Sequence, residues 1–206
     1  RNKENILKEY KFIVPCMNTD KICVFTNLGL MHQIKVLDIP AGKFRDKGVP
    51  IDNLCNYDSA KEYIIQVLDA QTMIHNTLLF ATAKSMLKVM DGELLNASKR
   101  TVQATKLSED ELIAVIAANW SEESEDKVVL QTKDGVFLKF PYAEIPKKKK
   151  SALGVRGMKL SKDDLVTNVY VMDAQNISSI MYKEKELEFN RLKLSKRDTK
   201  GTKVRR

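Results

Sequence analysis

Histidine, cysteine, tryptophan and glycine are scarce in this chain, and each scarcity closes off a class of chemistry. The two histidines, His32 and His75, sit in no H-E-x-x-H pattern and beside no serine or cysteine nucleophile, so neither a zinc hydrolase nor a catalytic triad is legible. The three cysteines, Cys16, Cys23 and Cys55, are odd in number and lack zinc-site spacing, which reads as buried free thiols in a reducing cytosol. Among the eight glycines no G-x-G-x-x-G and no G-x-x-x-x-G-K-[ST] forms, so no nucleotide site is visible. No apolar run approaches the roughly 18 residues of a membrane span, and Arg1-Asn2-Lys3-Glu4 does not open a signal peptide. Trp120 stands alone beside an acidic stretch and reads as a packing residue or loop anchor. No catalytic, cofactor-binding or metal-ligating residue is assigned.

What the chain does have is a repeat. Lys106-Leu107-Ser108-Glu109-Asp110-Glu111-Leu112 returns 53 residues later as Lys159-Leu160-Ser161-Lys162-Asp163-Asp164-Leu165. Ile22-Cys23-Val24-Phe25-Thr26-Asn27-Leu28-Gly29 recurs as Val128-Val129-Leu130-Gln131-Thr132-Lys133-Asp134-Gly135. Thr26 precedes Gly48, and Thr132 precedes Gly154, by the same 22 residues. Weaker copies start at Leu78-Leu79-Phe80-Ala81-Thr82 and near Ile180-Met181-Tyr182. A period near 50 residues signals small units that bury their apolar faces against one another.

Charge is segregated. The formal net charge is +8, but residues 139–159 carry a net +6 and residues 191–206 a net +7, which leaves −5 elsewhere, much of it between Glu109 and Asp126. Two readings fit that segregation: a positive field for a polyanion, or a solubilising lysine run with a frayed basic tail. The repeat decides between them, because the segment after each Thr-bearing run is basic in every unit. It holds Lys43, Arg45 and Lys47 in the first and Lys99 and Arg100 in the second. In the third it holds Lys147, Lys148, Lys149, Lys150 and Arg156, and in the fourth Arg191, Lys193, Lys196, Arg197 and Lys200. Equivalent positions in an array share a face, and four basic segments on one rim would follow phosphates without reading bases.

The units read as strands. Val24-Phe25-Thr26 and Val128-Val129-Leu130 are β-prone, and Asn27-Leu28-Gly29 and Lys133-Asp134-Gly135 carry hairpin-turn chemistry. Val136 to Phe140 then runs back and stops at Pro141. Two stretches signal helix instead: Ser108-Glu109-Asp110-Glu111 resembles a capping box before Leu112 to Ala118, and Asp58-Ser59-Ala60-Lys61-Glu62 resembles a helix start before Ile64. Their repeat-mate, Leu165 to Val171, alternates and is β-rich, so all three are predicted to be strands. About four strands per unit is the size of a propeller blade. The expectation is an all-β fold, one domain over residues 1–206, with units at roughly 18–69, 74–118 and 125–173. Partial units lie at 1–17 and 177–206, and a basic tail covers 196–206. Asn5 to Val14 is matched to the second half of a repeat.

Particular stretches resemble a known family. Ile22 to Gly29, Ile34-Lys35-Val36, Ile39-Pro40 and Lys47-Gly48-Val49-Pro50-Ile51 look like the C-terminal domain of the bacterial type IIA topoisomerase A subunit, found in DNA gyrase or topoisomerase IV. Phe140-Pro141-Tyr142-Ala143-Glu144-Ile145-Pro146 and Gly154-Val155-Arg156-Gly157-Met158-Lys159-Leu160 carry the most specific part of the resemblance, which covers essentially the whole chain. It implies a β-pinwheel of four-stranded blades that exchange strands with their neighbours, of which about four are visible here, and a basic perimeter that binds and bends duplex DNA. The partners it implies are the ATPase B subunit together with the rest of the A subunit. ATP and Mg2+ would be used elsewhere in the parent enzyme, and the place would be cytoplasmic, on the bacterial nucleoid.

One departure stands out. The gyrase type carries a Gln-Arg-Arg-Gly-Gly-Lys-Gly box needed for tight wrapping. Here only degenerate matches occur, Arg45-Asp46-Lys47-Gly48 and Arg197-Asp198-Thr199-Lys200-Gly201, so gyrase and topoisomerase IV both stay open. The tyrosines Tyr10, Tyr57, Tyr63, Tyr142, Tyr170 and Tyr182 lack the context of the family's catalytic tyrosine, so this segment is expected to bind DNA and cleave nothing. The alternative is a non-enzymatic scaffold whose lysines bind an acidic protein.

Overall fold

The computed structural model describes residues 5, 8–173 and 178–205. Its elements are almost all strands. The first unit supplies β1 (Lys21–Thr26), β2 (Leu30–Lys35) and β3 (Ile64–Asp69), followed by a short helix, α1 (Ala70–Ile74). The second supplies β4 (Thr77–Thr82), β5 (Met86–Asp91), β6 (Thr101–Gln103) and β7 (Leu112–Ala117). The third supplies β8 (Lys127–Thr132), β9 (Val136–Pro141), β10 (Val155–Arg156) and β11 (Val166–Met172). The fourth supplies β12 (Ser179–Tyr182), β13 (Lys185–Glu188) and β14 (Thr202–Lys203).

Each of the first three sheets draws one strand from the following unit. Blade 1 has the order β3-β1-β2-β6, blade 2 β7-β4-β5-β10 and blade 3 β11-β8-β9-β14, while β12 and β13 pair as a two-stranded fourth blade. All pairings between named strands are antiparallel. This is the all-β pinwheel architecture, with strands exchanged between neighbouring blades. The segment beginning at Lys196 is part of the fold, because β14 lies within it and closes blade 3.

The apolar runs are continuous because both faces of a blade are buried, and side chains alternate between faces with period two. Cys23 and Phe25 point into the core shared with Leu78 and Phe80, between blades 1 and 2. Leu79 and Ala81 point the other way, into a core with Val128 and Leu130 between blades 2 and 3. Val129 joins Phe137, Leu187 and Phe189 between blades 3 and 4. The outer face of blade 1, Ile22, Val24 and Ile34, is closed by the chain's own Ile51, Leu54, Cys55 and Tyr57. Within that cap a buried His32 Nε2 meets Glu62 Oε1 at 2.8 Å, and His32 Nδ1 lies 2.9 Å from Thr101 Oγ1 on the strand given by unit two. The cysteines divide: Cys23 and Cys55 are buried as expected, whereas Cys16 is exposed.

The repeated threonine has a structural job. In each hairpin its carbonyl accepts from the turn: Gly29 N to Thr26 O, Ser85 N to Thr82 O and Gly135 N to Thr132 O, all at 3.0 Å. The Oγ1 atoms of Thr82 and Thr132 also accept from Met86 N and Val136 N, which start the return strands. The donors in the turn have φ of +74°, +68° and +77°, which a glycine adopts without a Cβ clash and Ser85 adopts under mild strain.

Both helix signals yield to strand, as predicted: β3 begins at Ile64 and β7 at Leu112. Their polar residues fix the strand entry instead. Asp110 Oδ1 accepts from Lys84 N and Glu111 N, and Asp164 Oδ1 accepts from Asp134 N and Leu165 N. Geometry therefore matches Asp110 with Asp164, whereas residue identity alone matches it with Asp163. One residue, Lys162, is inserted, so Val166 and not Leu165 takes the buried place of Leu112. The helix α1, capped where Asp69 Oδ1 accepts from Thr72 N at 2.8 Å, has no signal in the repeat. The match of Asn5–Val14 to a half-repeat falls partly outside the described residues, and those described there include no strand.

Candidate nucleic-acid interface

The basic segments occupy one topological place. In every unit the chain leaves the second strand of its blade, makes a short 3-10 turn and then a basic loop. In units two to four it next gives a strand to the edge of the preceding blade. In unit three, Lys148 N donates to Val89 O at 2.7 Å, Gly157 N donates to Ser85 O at 2.7 Å, and β10 pairs with β5 between them. In unit four, Ser195 N donates to Lys139 O at 2.8 Å before β14 pairs with β9. In unit two, Gln33 N donates to Arg100 O at 2.7 Å before β6 pairs with β2.

Of the proposed contact residues, Lys43, Arg45, Lys47, Lys99, Arg100, Lys147, Lys148, Lys149, Lys150, Arg156, Arg191, Lys193, Lys196 and Lys200 are exposed. Arg197 is half-buried and turned to structure: its Nε donates to Glu144 O at 3.0 Å and its Nη1 to Arg156 O at 2.7 Å. Three others have acidic neighbours. Lys147 pairs with Asp91 at 2.8 Å, Arg191 with Glu188 at 3.0 Å, and Arg156 with Asp198 through two hydrogen bonds. The Arg156 guanidinium holds the Asp198 carboxyl below its ordinary range, so Asp198 stays anionic. Asp198 has φ +61° and its amide donates to Gly157 O, which builds the degenerate box at 197–201 into the junction of two blades. In the other degenerate box, Asp46 Oδ2 accepts from Lys43 N at 2.7 Å.

The lysine loop of unit three borders a groove of about 1230 Å³ that is also lined by Leu28, Leu94, Leu107 and Lys106. Beside Arg100 a smaller recess brings in Lys21 and Lys35. Sequence reasoning missed these three lysines because none lies in the basic loops themselves: Lys21 opens β1, Lys35 ends β2 and Lys106 follows β6, and folding brings them to the loops. It also missed two lysines inside the blades. Lys88 is buried, and its Nζ donates to Lys150 O at 2.9 Å, Ala152 O at 2.8 Å and Lys149 O at 3.3 Å. Burial pushes its ammonium down to about 8. Lys139, also buried, donates from Nζ to Phe189 O at 2.8 Å, and burial lowers its pKa as well, with Lys127 adding to the shift. A lysine amid strand residues reads as a solvent-facing one, and only the loops folded over these two bury them.

The profile of the DNA gyrase C-terminal domain, a β-propeller, matches residues 20–59, 76–119 and 126–171. The DNA gyrase A subunit of Chlamydia muridarum is 30% identical over 172 residues, which cover 81% of this chain and 20% of that protein. Its counterpart in Lawsonia intracellularis is 29% identical over 184 residues, which cover 87% of this chain and 22% of that protein. The chain thus spans about a fifth of the length of these relatives. Among solved structures, the C-terminal domain of a DNA topoisomerase IV superposes with a TM-score of 0.78 at 20% identity, covering 91% of this chain and 59% of that one. A DNA gyrase A C-terminal domain superposes with a TM-score of 0.64 at 21% identity, covering 92% of this chain and 61% of that one.

Proposed function

The chain belongs to the DNA gyrase C-terminal domain family, and from that premise we propose that it binds and bends duplex DNA through its basic loops, without base specificity. It would do so as the C-terminal domain of the A subunit of a type II topoisomerase. The observation that carries the reading is the topological equivalence of the loops: each follows the second strand of its blade, and three are tied by strand exchange to the blade before. Lys and Arg contacts release counterions from phosphates, which offsets a bending cost on the order of 1–6 kcal/mol over 20–30 base pairs. In the parent enzyme the ATPase B subunit, with the rest of the A subunit, would supply energy and cleavage in the bacterial cytoplasm. ATP and Mg2+ would act there and not in this segment.

Bending and wrapping are separable. Asp198 and Asp46 stand where the wrapping box has glycine, and a carboxylate both fills space and repels phosphate. The domain should therefore bend a duplex labelled at both ends, seen as a rise in energy transfer. It should constrain little writhe when plasmid is relaxed in its presence and the linking number is read on a gel. Absence of bending would refute the reading, and strong writhe of one hand would refute the role given to the two aspartates. A second reading, binding of an acidic protein segment, draws on the leucines that line the groove beside Lys147–Lys150. Competition tells them apart, since duplex DNA should be displaced by heparin and salt and not by an uncharged apolar peptide.

A further inference from the structure

A buried lysine normally has a carboxylate beside it, because an ammonium taken out of water without compensation is costly. Lys88 makes no ion pair among the described residues. It is 2% exposed, rises from β5 across from Phe80, and lies 5.8 Å from that ring. All three of its N–H donors are used on one short stretch of backbone, the carbonyls of Lys149, Lys150 and Ala152. An ammonium has three donors, so the set is complete.

That arrangement acts on the loop. The oxygen ends of three peptide dipoles in and just after the lysine run are turned inward onto a cation, away from the surface on which Lys147 to Lys150 are exposed. A phosphate approaching that surface would meet ammonium groups with these carbonyls withdrawn. The loop backbone is also fixed from beneath, so the lysines need less ordering when they bind. Related contacts recur at the neighbouring loops. Lys139 holds Phe189 O at the start of the fourth basic segment, and Gln33 Nε2 donates to Ala97 O at 2.9 Å and Lys99 O at 2.6 Å in the second. Gln33 and Lys139 sit at the same register position, opposite Cys23 and Val129.

We propose that Lys88 is a positioning residue for polyanion binding, shaping the third-unit lysine loop from inside blade 2 without touching the ligand. The proposal rests on the DNA-binding reading above. The test uses the full chain carrying Lys88→Met, which keeps the volume and removes both charge and donors. A merely structural role predicts a lower melting temperature. The positioning role predicts an equal or higher one, since a buried charge with no carboxylate beside it is gone and the freed loop carbonyls can turn to water. It also predicts trypsin cleavage after Lys147–Lys150 rising about tenfold while cleavage after Lys99 and Arg100 stays at the wild-type rate. Affinity for a plain 40-base-pair duplex should fall by about three- to tenfold with a shallower salt dependence.

Wild-type cleavage and wild-type affinity in the variant would overturn the proposal, and so would a freed loop that binds DNA as well as before. Should Lys88→Met not fold, Lys139→Met carries the same test at the fourth loop, read at Arg191 and Lys193. If wild-type protein itself binds no DNA, the functional reading fails; the cleavage comparison then still decides whether Lys88 organises the loop.

Discussion

The basic loops of the first and third units share a sequence frame and differ in what lies beneath them. Both run 22 residues from the hairpin threonine to a glycine with positive φ, +68° at Gly48 and +94° at Gly154. In the third unit that glycine is clamped: a Cβ there would stand 2.4 Å from Leu87 O. At Gly48 a Cβ would meet nothing within 4 Å. Residues 37–50 are exposed throughout, including Leu37, Phe44 and Val49. Local sequence thus sets the turn, and a preceding blade sets whether the loop is held. No buried lysine among the described residues holds the loop of Lys43, Arg45 and Lys47 as Lys88 holds that of Lys147–Lys150; there the exposed Tyr10 hydroxyl donates to Phe44 O at 3.4 Å.

The sharpest way to break this comparison is to add a methyl group at each glycine. Gly154→Ala should cost about 3 kcal/mol or more, because the β-carbon meets backbone that belongs to blade 2. Gly48→Ala should cost about 1 kcal/mol, the left-handed backbone penalty alone. Thermal unfolding of the two variants checks this, with about 2–4 °C per kcal/mol for a chain of this size. Equal shifts would mean that the two loops are held alike.

In the first unit, stability should reside in the cap and not in the exposed arm. Glu62→Ala leaves buried His32 without its carboxylate and should cost about 3 kcal/mol. Alanine at Leu37 or Phe44, which are 71% and 73% exposed, should move stability by about 0.5 kcal/mol or less. Denaturant midpoints measured on the three variants decide the matter. A large loss from either arm substitution would place the arm in a packed site.

Alkaline titration sharpens the contrast at the third loop. The folded pKa of Lys88, about 8, lies below the ordinary 10.5, so between those values the unfolded chain binds more protons than the folded one. Stability must rise with pH across that window, and the charged form weighs against folding below it. The gain should be about 1–3 kcal/mol relative to Lys88→Met at equal pH. The groups around this amine are the Phe80 ring and the loop carbonyls, none of which titrates there. A stability difference that stays flat from pH 8 to 10.5 would show that Lys88 is not desolvated.

The strands were legible in the sequence because burial of both blade faces writes continuous apolar runs such as Leu78–Ala81, and because Thr26, Thr82 and Thr132 serve the same hairpin contact. The helix signals at Asp58 and Ser108 misled only locally, since Glu62 and Asp110 meet backbone amides at a strand entry as readily as at a helix N-terminus. Less was legible at the interface. Which cations are free depends on partners far along the chain, as with Arg156 and Asp198, 42 residues apart. Lys88 carried no signal at all, because its environment is made by a loop 61 to 64 residues away.

The central claim is that held basic loops contact phosphate. Duplex affinity measured across salt for wild type, for Lys147–Lys150 all changed to alanine, and for Lys43, Arg45 and Lys47 all changed to alanine tests it most directly. Each lost phosphate contact flattens the slope of log affinity against log salt by about 0.9. The account predicts a drop of about 2–4 for the third-unit loop and a smaller drop for the first. An unchanged slope after removal of the four lysines, or a larger loss from the first loop than from the third, would contradict it.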